Sequence, residues 1–427
     1  MLIEFRLKNF RSFRDEAALS LVASADTLLL NENTAPTGIA SIPRVARSAA
    51  IYGPNASGKT NLLRGLLEMQ NMVVQSAVVL PSQQHPIQPF RLAKDTLASP
   101  TLFEATIAID GIRYQYGFEA TPSRIWAEWL LVYQSAKPQV WFDRRYDSAT
   151  DHDEFKFGAG FKGNKRVWQE ATRPNALFLS VAIQLNSEQL RPLYDWFAED
   201  LVVFLDGAHI PDTYSTQKLE DPAWAKRIRS FLTSADIAIS NIHVHKMDGF
   251  QTTFKIDGAT GAASEPRVER SEVQILRPRF THIAGDDAAI MDFEDESQGT
   301  QKLFSLAGPL FDIIQRGKVL VVDELDRSLH ALLVRHFIRV FNDPEVNTSG
   351  AQLIFSTHDT SQLDAEVLRR DQVWLVDKAS DQSSALTPLL EFSPRKGEAL
   401  ERGYLRGRYG GVPILPNRLI EKVDLGS

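Results

Sequence analysis

The 427-residue chain is 43% hydrophobic and 24% charged, the balance of an ordinary globular protein long enough for two or three packed units. Its formal net charge of −7 argues against a surface that is basic throughout, while leaving room for a local basic patch. With no cysteine, disulfides and thiolate metal sites are excluded, which fits a reducing cytoplasm.

The first ten residues, from Met1-Leu2-Ile3 to Phe10, alternate apolar and charged side chains. That is a strand pattern and not the apolar core of a signal peptide. No apolar run approaches the ~20 residues needed to cross a bilayer. The expectation is a cytoplasmic protein with no membrane contact of its own. Residues 1–60 alternate short strand patterns with turns and end in Gly53, Pro54, Asn55, Ala56, Ser57, Gly58, Lys59 and Thr60. This stretch fits G-x-x-x-x-G-K-[ST], the loop that wraps nucleotide phosphates. An apolar run, Ala49-Ala50-Ile51-Tyr52, precedes it as a buried strand, and Asn61-Leu62-Leu63-Arg64 opens a helix after it. Glycines let the backbone N–H groups curl around phosphates, and the helix N-terminus adds its partial positive charge. Lys59 is placed to reach the β- and γ-phosphates and the Thr60 hydroxyl to bind Mg²⁺. The pattern implies that the chain binds a nucleoside triphosphate.

The helix after this loop should run to about Val79, followed by a loop bounded by Pro81, Pro86 and Pro89 that carries Gln88. From Leu102 to Phe118 the pattern returns to strands, with Asp110-Gly111 as a hairpin turn. Residues from about 120 to 290 mix strands with helices such as Ser187 to Glu199 and Ala223 to Ser234. His243 and His245 alternate as on a strand, a structural arrangement more than a metal site. Asp286-Asp287 and the run Asp292 to Glu296 read as solvated surface. No sustained heptad pattern appears, so the chain lacks a long coiled coil.

Gly317-Lys318-Val319-Leu320-Val321-Val322-Asp323-Glu324 reads as a buried parallel strand with its functional residues at the carboxyl end. Asp323 is placed to hold the Mg²⁺ shell, and Glu324 to polarise an attacking water as general base. The segment Asp323-Glu324-Leu325-Asp326-Arg327-Ser328-Leu329-His330 resembles the D-loop sequence of ABC-class ATPases. Leu353-Ile354-Phe355-Ser356-Thr357-His358 is a second buried strand ending where that class has its switch histidine. Glu296-Ser297-Gln298-Gly299-Thr300-Gln301-Lys302 looks like the class signature loop in a Ser-x-Gly form, and Ser297 equally suits the N-cap of the helix that follows.

Taken together the chain resembles the stand-alone ABC-type ATPases related to SMC and RecF heads. Within these it is most similar to the bacterial overcoming-lysogenization-defect-like group of AAA type, whose members commonly sit in phage-defence or abortive-infection operons beside an effector gene. Phe10-Arg11-Ser12-Phe13, Pro86-Ile87-Gln88-Pro89-Phe90-Arg91-Leu92 and the tail from Tyr404 to Pro413 share in the likeness. The chain departs from the pattern in two places: Ala331 follows His330 where relatives often carry proline, which touches only local turn geometry, and Ser297-Gln298-Gly299 lacks the double glycine of transporter subunits.

The resemblance implies an α/β, ABC/SMC-head-like P-loop ATPase with a β-rich N-terminal part and an inserted mixed helical lobe. The nucleotide domain is expected at 1–120 and 291–427, with the lid or partner lobe at 121–290. It also implies ATP as ligand, a γ-phosphate contact for His358, and a Q-loop role for Gln88, which equally suits a solvated loop glutamine. Ser297 and Gly299 of one protomer would close over the nucleotide of the other in a head-to-tail dimer. No Asn-Lys-x-Asp element is present, which favours ATP over GTP. The chain after His358 is too short for a Toprim nuclease unit, so the resemblance points to a separate nuclease-like effector encoded nearby. A RecF-like DNA-binding ATPase of repair or recombination is the alternative, and a transporter ATPase comes third. Arg402, Arg406 and Arg408, interleaved with Tyr404 and Tyr409, suit a tail packed on an acidic body better than a nucleic-acid surface.

Overall fold

The computed structural model describes every residue except 136, 206–210, 256–266, 396 and 413–427. Pro413, the end of the tail motif, therefore lies outside the described residues. In chain order the strands begin with β1 (Leu2–Lys8), β2 (Ala17–Ser20), β3 (Thr34–Ile39), β4 (Ile42–Ala46) and β5 (Ser48–Tyr52). Helix α1 (Lys59–Gln75) follows, and then β6 (Thr101–Ile109), β7 (Ile112–Thr121), β8 (Arg124–Tyr133), β9 (Gln139–Asp147) and β10 (His152–Phe157). A helical stretch leads to β11 (Leu201–Phe204), β12 (Asn241–Lys255), β13 (Arg267–Ala284) and β14 (Asp287–Asp292). The last four strands are β15 (Val319–Val322), β16 (Gln352–Ser356), β17 (Val373–Lys378) and β18 (Ser384–Pro388).

Two compact units result, one of residues 1–208 with 313–427 and one of residues 209–312. The first contains a 7-stranded antiparallel sheet in the order β10-β9-β8-β7-β6-β1-β2 and a 6-stranded sheet in the order β11-β15-β16-β5-β17-β18. All neighbours in the second sheet run parallel except the edge strand β18. The sequence explains the difference. β1 alternates, burying Ile3, Phe5 and Leu7 while Glu4 and Arg6 are half-buried and Lys8 faces water. β5, β15 and β16 are mainly apolar without alternation, with Ser48, Gln352 and Ser356 at strand ends, and buried along their whole length, as strands covered on both faces must be.

Helix α1 buries Leu62, Leu63, Leu66, Met69, Met72 and Val73, each worth about 1.5–3 kcal/mol when fully removed from water. It approaches β1 closely at Gly65, where a Cβ would lie 2.7 Å from Leu7 Cδ2. The Asp110-Gly111 turn forms as expected, with both residues at positive φ (50° and 74°) between paired Ile109 and Ile112. The helix expected from Ser187 to Glu199 is shorter: it starts at Arg191, with Pro192 in its first turn, and passes into a π-turn at Trp196–Asp200.

The grouping differs from a lobe at 121–290. Residues 124–157 form β8 to β10 and extend the antiparallel sheet, with Thr121 paired to Arg124 across a tight turn. A hairpin turn and a domain boundary leave the same local signal, and only the non-local pairing separates them. In the second unit the sheet order is β12-β13-β14, and Phe280, Phe293 and Phe304 pack as a cluster beside it. His243 and His245 lie on β12, opposite Arg279 and Arg277. The acidic run is partly engaged: Asp292 pairs with Arg279 (2.7 Å), Glu294 with Arg277 (3.0 Å) and Glu296 with His282 (2.6 Å). Among the described residues no helix is long and apolar enough to cross a membrane.

Candidate active site

The carboxyl ends of the parallel strands converge on one cavity, as open α/β sheets dictate. β5 runs into the loop at Gly53, β15 ends at Val322 before Asp323, β16 ends at Ser356 two residues before His358, and β17 ends at Lys378. The cavity holds about 280 Å³ and is lined by residues 55–61 with Ser12, Asp323, Glu324, His358 and Lys378. That volume suits the phosphate end of a nucleotide more than a whole one.

The loop has the backbone its sequence requires. Gly53 and Gly58 sit at φ 152° and 117°, and Ala56 at 61°. A Cβ on Gly53 would lie 2.3 Å from the Val376 carbonyl, and one on Gly58 2.7 Å from Ser12 Oγ. Only glycine fits either place. Lys59 Nζ donates to the carbonyls of Gly53 (2.9 Å) and Pro54 (3.2 Å), so the ammonium arches back over its own loop. Burial lowers its pKa, against the pull of Asp323 and Glu324. Among the described residues Ser57 Oγ, buried in the cavity wall, has no hydrogen-bond partner, a polar atom that a phosphate oxygen would satisfy.

Asp323, 3% exposed, has both carboxylate oxygens occupied. Thr60 Oγ1 donates to Oδ2 (2.8 Å) and Ser356 Oγ to Oδ1 (2.5 Å). The pair of hard oxygens from Thr60 and Asp323 fits Mg²⁺, which commonly takes one or two protein ligands and completes its shell with phosphates and water. Glu324, next in sequence, holds the left-handed conformation at φ 50°, and its N–H donates to Ser356 Oγ (2.7 Å). Such a conformation costs a non-glycine residue of order 1–3 kcal/mol and persists where surroundings enforce it. His358 donates its backbone N–H to Asp326 Oδ2 (3.2 Å). Desolvation first, and then the Lys59 charge, hold the His358 ring below the ordinary histidine range, with Asp326, Glu324 and Asp323 pulling upward.

The sequence-derived residues do not all gather here. Gln88 is not among the lining residues; its carbonyl accepts the Arg11 N–H (2.8 Å), which ties the proline-bounded loop to the N-terminal segment. Ser297 and Gly299 belong to the second unit. There Ser297 is exposed, and its Oγ accepts the Thr300 N–H (3.1 Å), capping the helix Gln298–Arg316. Asn61 lines the cavity and donates to Ser12 Oγ (2.9 Å). Three residues escaped sequence reasoning. Ser356 was visible as a lone hydroxyl ending an apolar strand, and Ser12 within Phe10-Arg11-Ser12-Phe13, but Lys378 carries no local signal.

Loop, strand-end acids and sheet order define a P-loop nucleotide-binding protein of AAA type. The chain belongs to the family described as "AAA domain, putative AbiEii toxin, Type IV TA system", whose profile matches residues 48–364. Among solved structures it is similar to the SMC head domain from Thermotoga maritima, with 14% identity, 91% of this chain and 98% of that one covered, and a TM-score of 0.38. An SMC head bound to the C-winged helix domain of ScpA gives 13% identity, 90% and 96% coverage and a TM-score of 0.38. An SMC head with an extended coiled coil, bound to the C-terminal domain of ScpA from Pyrococcus furiosus, gives 12%, 90%, 95% and 0.35. No curated protein matches the chain.

Proposed function

We propose that this chain hydrolyses ATP as a slow conformational switch, closing head to tail with a second copy around the nucleotide and thereby controlling a separate, nuclease-like effector of an anti-phage system. The observation that carries the catalytic part is the Thr60–Asp323 hydrogen bond (2.8 Å), which joins the phosphate loop to the end of β15 inside one cavity.

The reaction is ATP + H₂O to ADP and phosphate. Water oxygen forms the new bond to Pγ, the bond from Pγ to the bridging oxygen breaks, and ADP leaves with that oxygen. Glu324 accepts the proton of the attacking water. Lys59 leaves its loop carbonyls to hold phosphate oxygens, and the loop N–H groups bind the rest. Thr60 and Asp323 would hold Mg²⁺, which supplies charge neutralisation between the phosphates. His358, neutral at pH 7, offers a ring nitrogen to the γ-phosphate.

The dimer and the effector rest on family likeness. The exposed Ser297 at a helix N-terminus supports a contact made in trans. Defence fits the abortive-infection and toxin–antitoxin wording of the family description. Against the RecF-like alternative, Tyr404 and Tyr409 are buried and Arg408 pairs with Glu398, while Arg402 and Arg406 stay exposed. The test is purification of the tagged chain from its own gene neighbourhood with ATP present. A stoichiometric neighbour-encoded nuclease or toxin is the expected result. Recovery of the chain alone with DNA, and ATP turnover stimulated by DNA, would replace this reading with the RecF-like one.

A further inference from the structure

We infer that Lys378 is a second phosphate-binding cation, reaching the nucleotide from the strand on the far side of the loop. The inference rests on the nucleotide-binding reading above and extends it to a residue outside every motif. β17 lies directly beside β5, with Leu375 opposite Tyr52. The loop leaving β5 passes over β17 so tightly that Gly53 faces the Val376 carbonyl. Lys378 ends β17 and lines the same cavity as Lys59, Asp323 and His358.

The hairpin from β17 to β18 also grips the loop. Ser384, opposite Lys378 in the register, donates its Oγ to the Ser57 carbonyl and its N–H to the Ser12 carbonyl (2.7 Å). A Cβ on Gly58 would meet both Ser384 Oγ and Ser12 Oγ. The loop is thus held on one side by Thr60 and Asp323 and on the other by this hairpin, whose charged end is Lys378.

Local structure does not account for the lysine. The hairpin turn closes on its own backbone, Ala379 N–H to Ser383 (2.8 Å) and Gln382 N–H to Ala379 (3.0 Å). Among the described residues, Lys378 Nζ adds a bond to the Gln382 carbonyl (2.7 Å), with the side chain exposed. A flexible four-carbon stem can trade that carbonyl for a phosphate oxygen at little cost. Its neighbour Asp377, on the other face of the strand, accepts the Gly411 N–H (2.6 Å). A triphosphate brings about four negative charges, of which a Mg²⁺ at Thr60 and Asp323 would answer two, to a cavity that also holds Asp323 and an Arg327-paired Glu324. A second cation answers that imbalance.

The test is calorimetric titration of the full chain with ADP and with AMP, both with Mg²⁺, for wild type, Lys378→Ala, Lys378→Arg and Lys59→Ala. The expected result is a loss of ADP affinity of about tenfold in Lys378→Ala, restored in Lys378→Arg. AMP affinity should change less than ADP affinity. Wild-type ADP affinity in Lys378→Ala, beside a loss in Lys59→Ala, overturns this assignment alone. Equal losses for AMP and ADP move the contact off the phosphates and overturn it too. Wild-type protein that binds neither nucleotide overturns the underlying reading. Thermal melting of each variant checks folding, which an exposed side chain should leave unchanged.

Discussion

Ser356 is the residue through which two acids are fixed at once. Its hydroxyl donates to Asp323 and accepts from the Glu324 N–H, and it is fully buried. It does not line the cavity, so in the proposed site it would act by positioning. Ser356→Ala should lower kcat about 10–100-fold, the range for losing an outer-shell partner of a metal ligand. Affinity for ADP without Mg²⁺ should stay within about threefold. An equal fall in both would reduce Ser356 to a packing role. His358 gives a pH prediction. Its folded pKa lies below the unfolded value of about 6.5. As pH falls through that value the unfolded chain takes a proton that the folded ring refuses. Stability contributed here is therefore complete above about 6.5 and is lost below it. Urea midpoints measured from pH 7.5 to 5.5 should fall less in His358→Gln than in wild type.

At the scale of elements, buried charge joins the antiparallel sheet to the helix Phe178–Gln184. Glu128 on β8 accepts the N–H groups of Phe178 (2.6 Å) and Leu179 (3.0 Å) and the Tyr116 hydroxyl (3.0 Å). Arg144 on β9 stands 3.8 Å from it, and both side chains are fully buried. Burial raises the Glu128 pKa and Arg144 opposes that rise. Arg144→Met leaves the carboxylate unpaired and should cost about 3–5 kcal/mol in urea unfolding. A double change with Glu128→Gln should recover part of that loss. None of this was legible from sequence, because glutamate and arginine in alternating strands read as solvent-facing. The strands themselves were legible where an apolar run is unbroken, as at 49–52, 319–322 and 353–355, or where a turn announces itself, as at Asp110-Gly111. The extension of the sheet through β8 to β10 was not, since pairing between distant strands writes no local pattern.

For the whole molecule, the site was legible in proportion to how local its parts are. Residues 53–60 lie in one loop and the helix start that follows it and could be read directly, and Asp323, Glu324 and His358 followed from strand ends. Lys378 reaches the cavity only because β17 lies beside β5, and Gln88 was placed by its order along the chain while the fold ties it to Arg11. The proposed dimer makes a prediction of its own. In a head-to-tail arrangement each site takes its loop from one copy and Ser297 from the other. Lys59→Ala and Ser297→Ala should each be inactive alone, yet an equal mixture should regain about a quarter of wild-type turnover, since half the dimers then hold one intact site. A mixture that stays inactive would place both residues in the same copy's site or leave Ser297 as a helix cap only.

The proposal that one cavity binds ATP and uses Glu324 to split it stands or falls on phosphate release. Release is followed with ATP and Mg²⁺ for wild type and Glu324→Gln, beside ATP binding by both. Wild type should release phosphate slowly but clearly. Glu324→Gln should keep ATP affinity within about threefold and lose at least about 100-fold in turnover, as for loss of a general base. Release by Glu324→Gln at the wild-type rate would rule out the glutamate as the base.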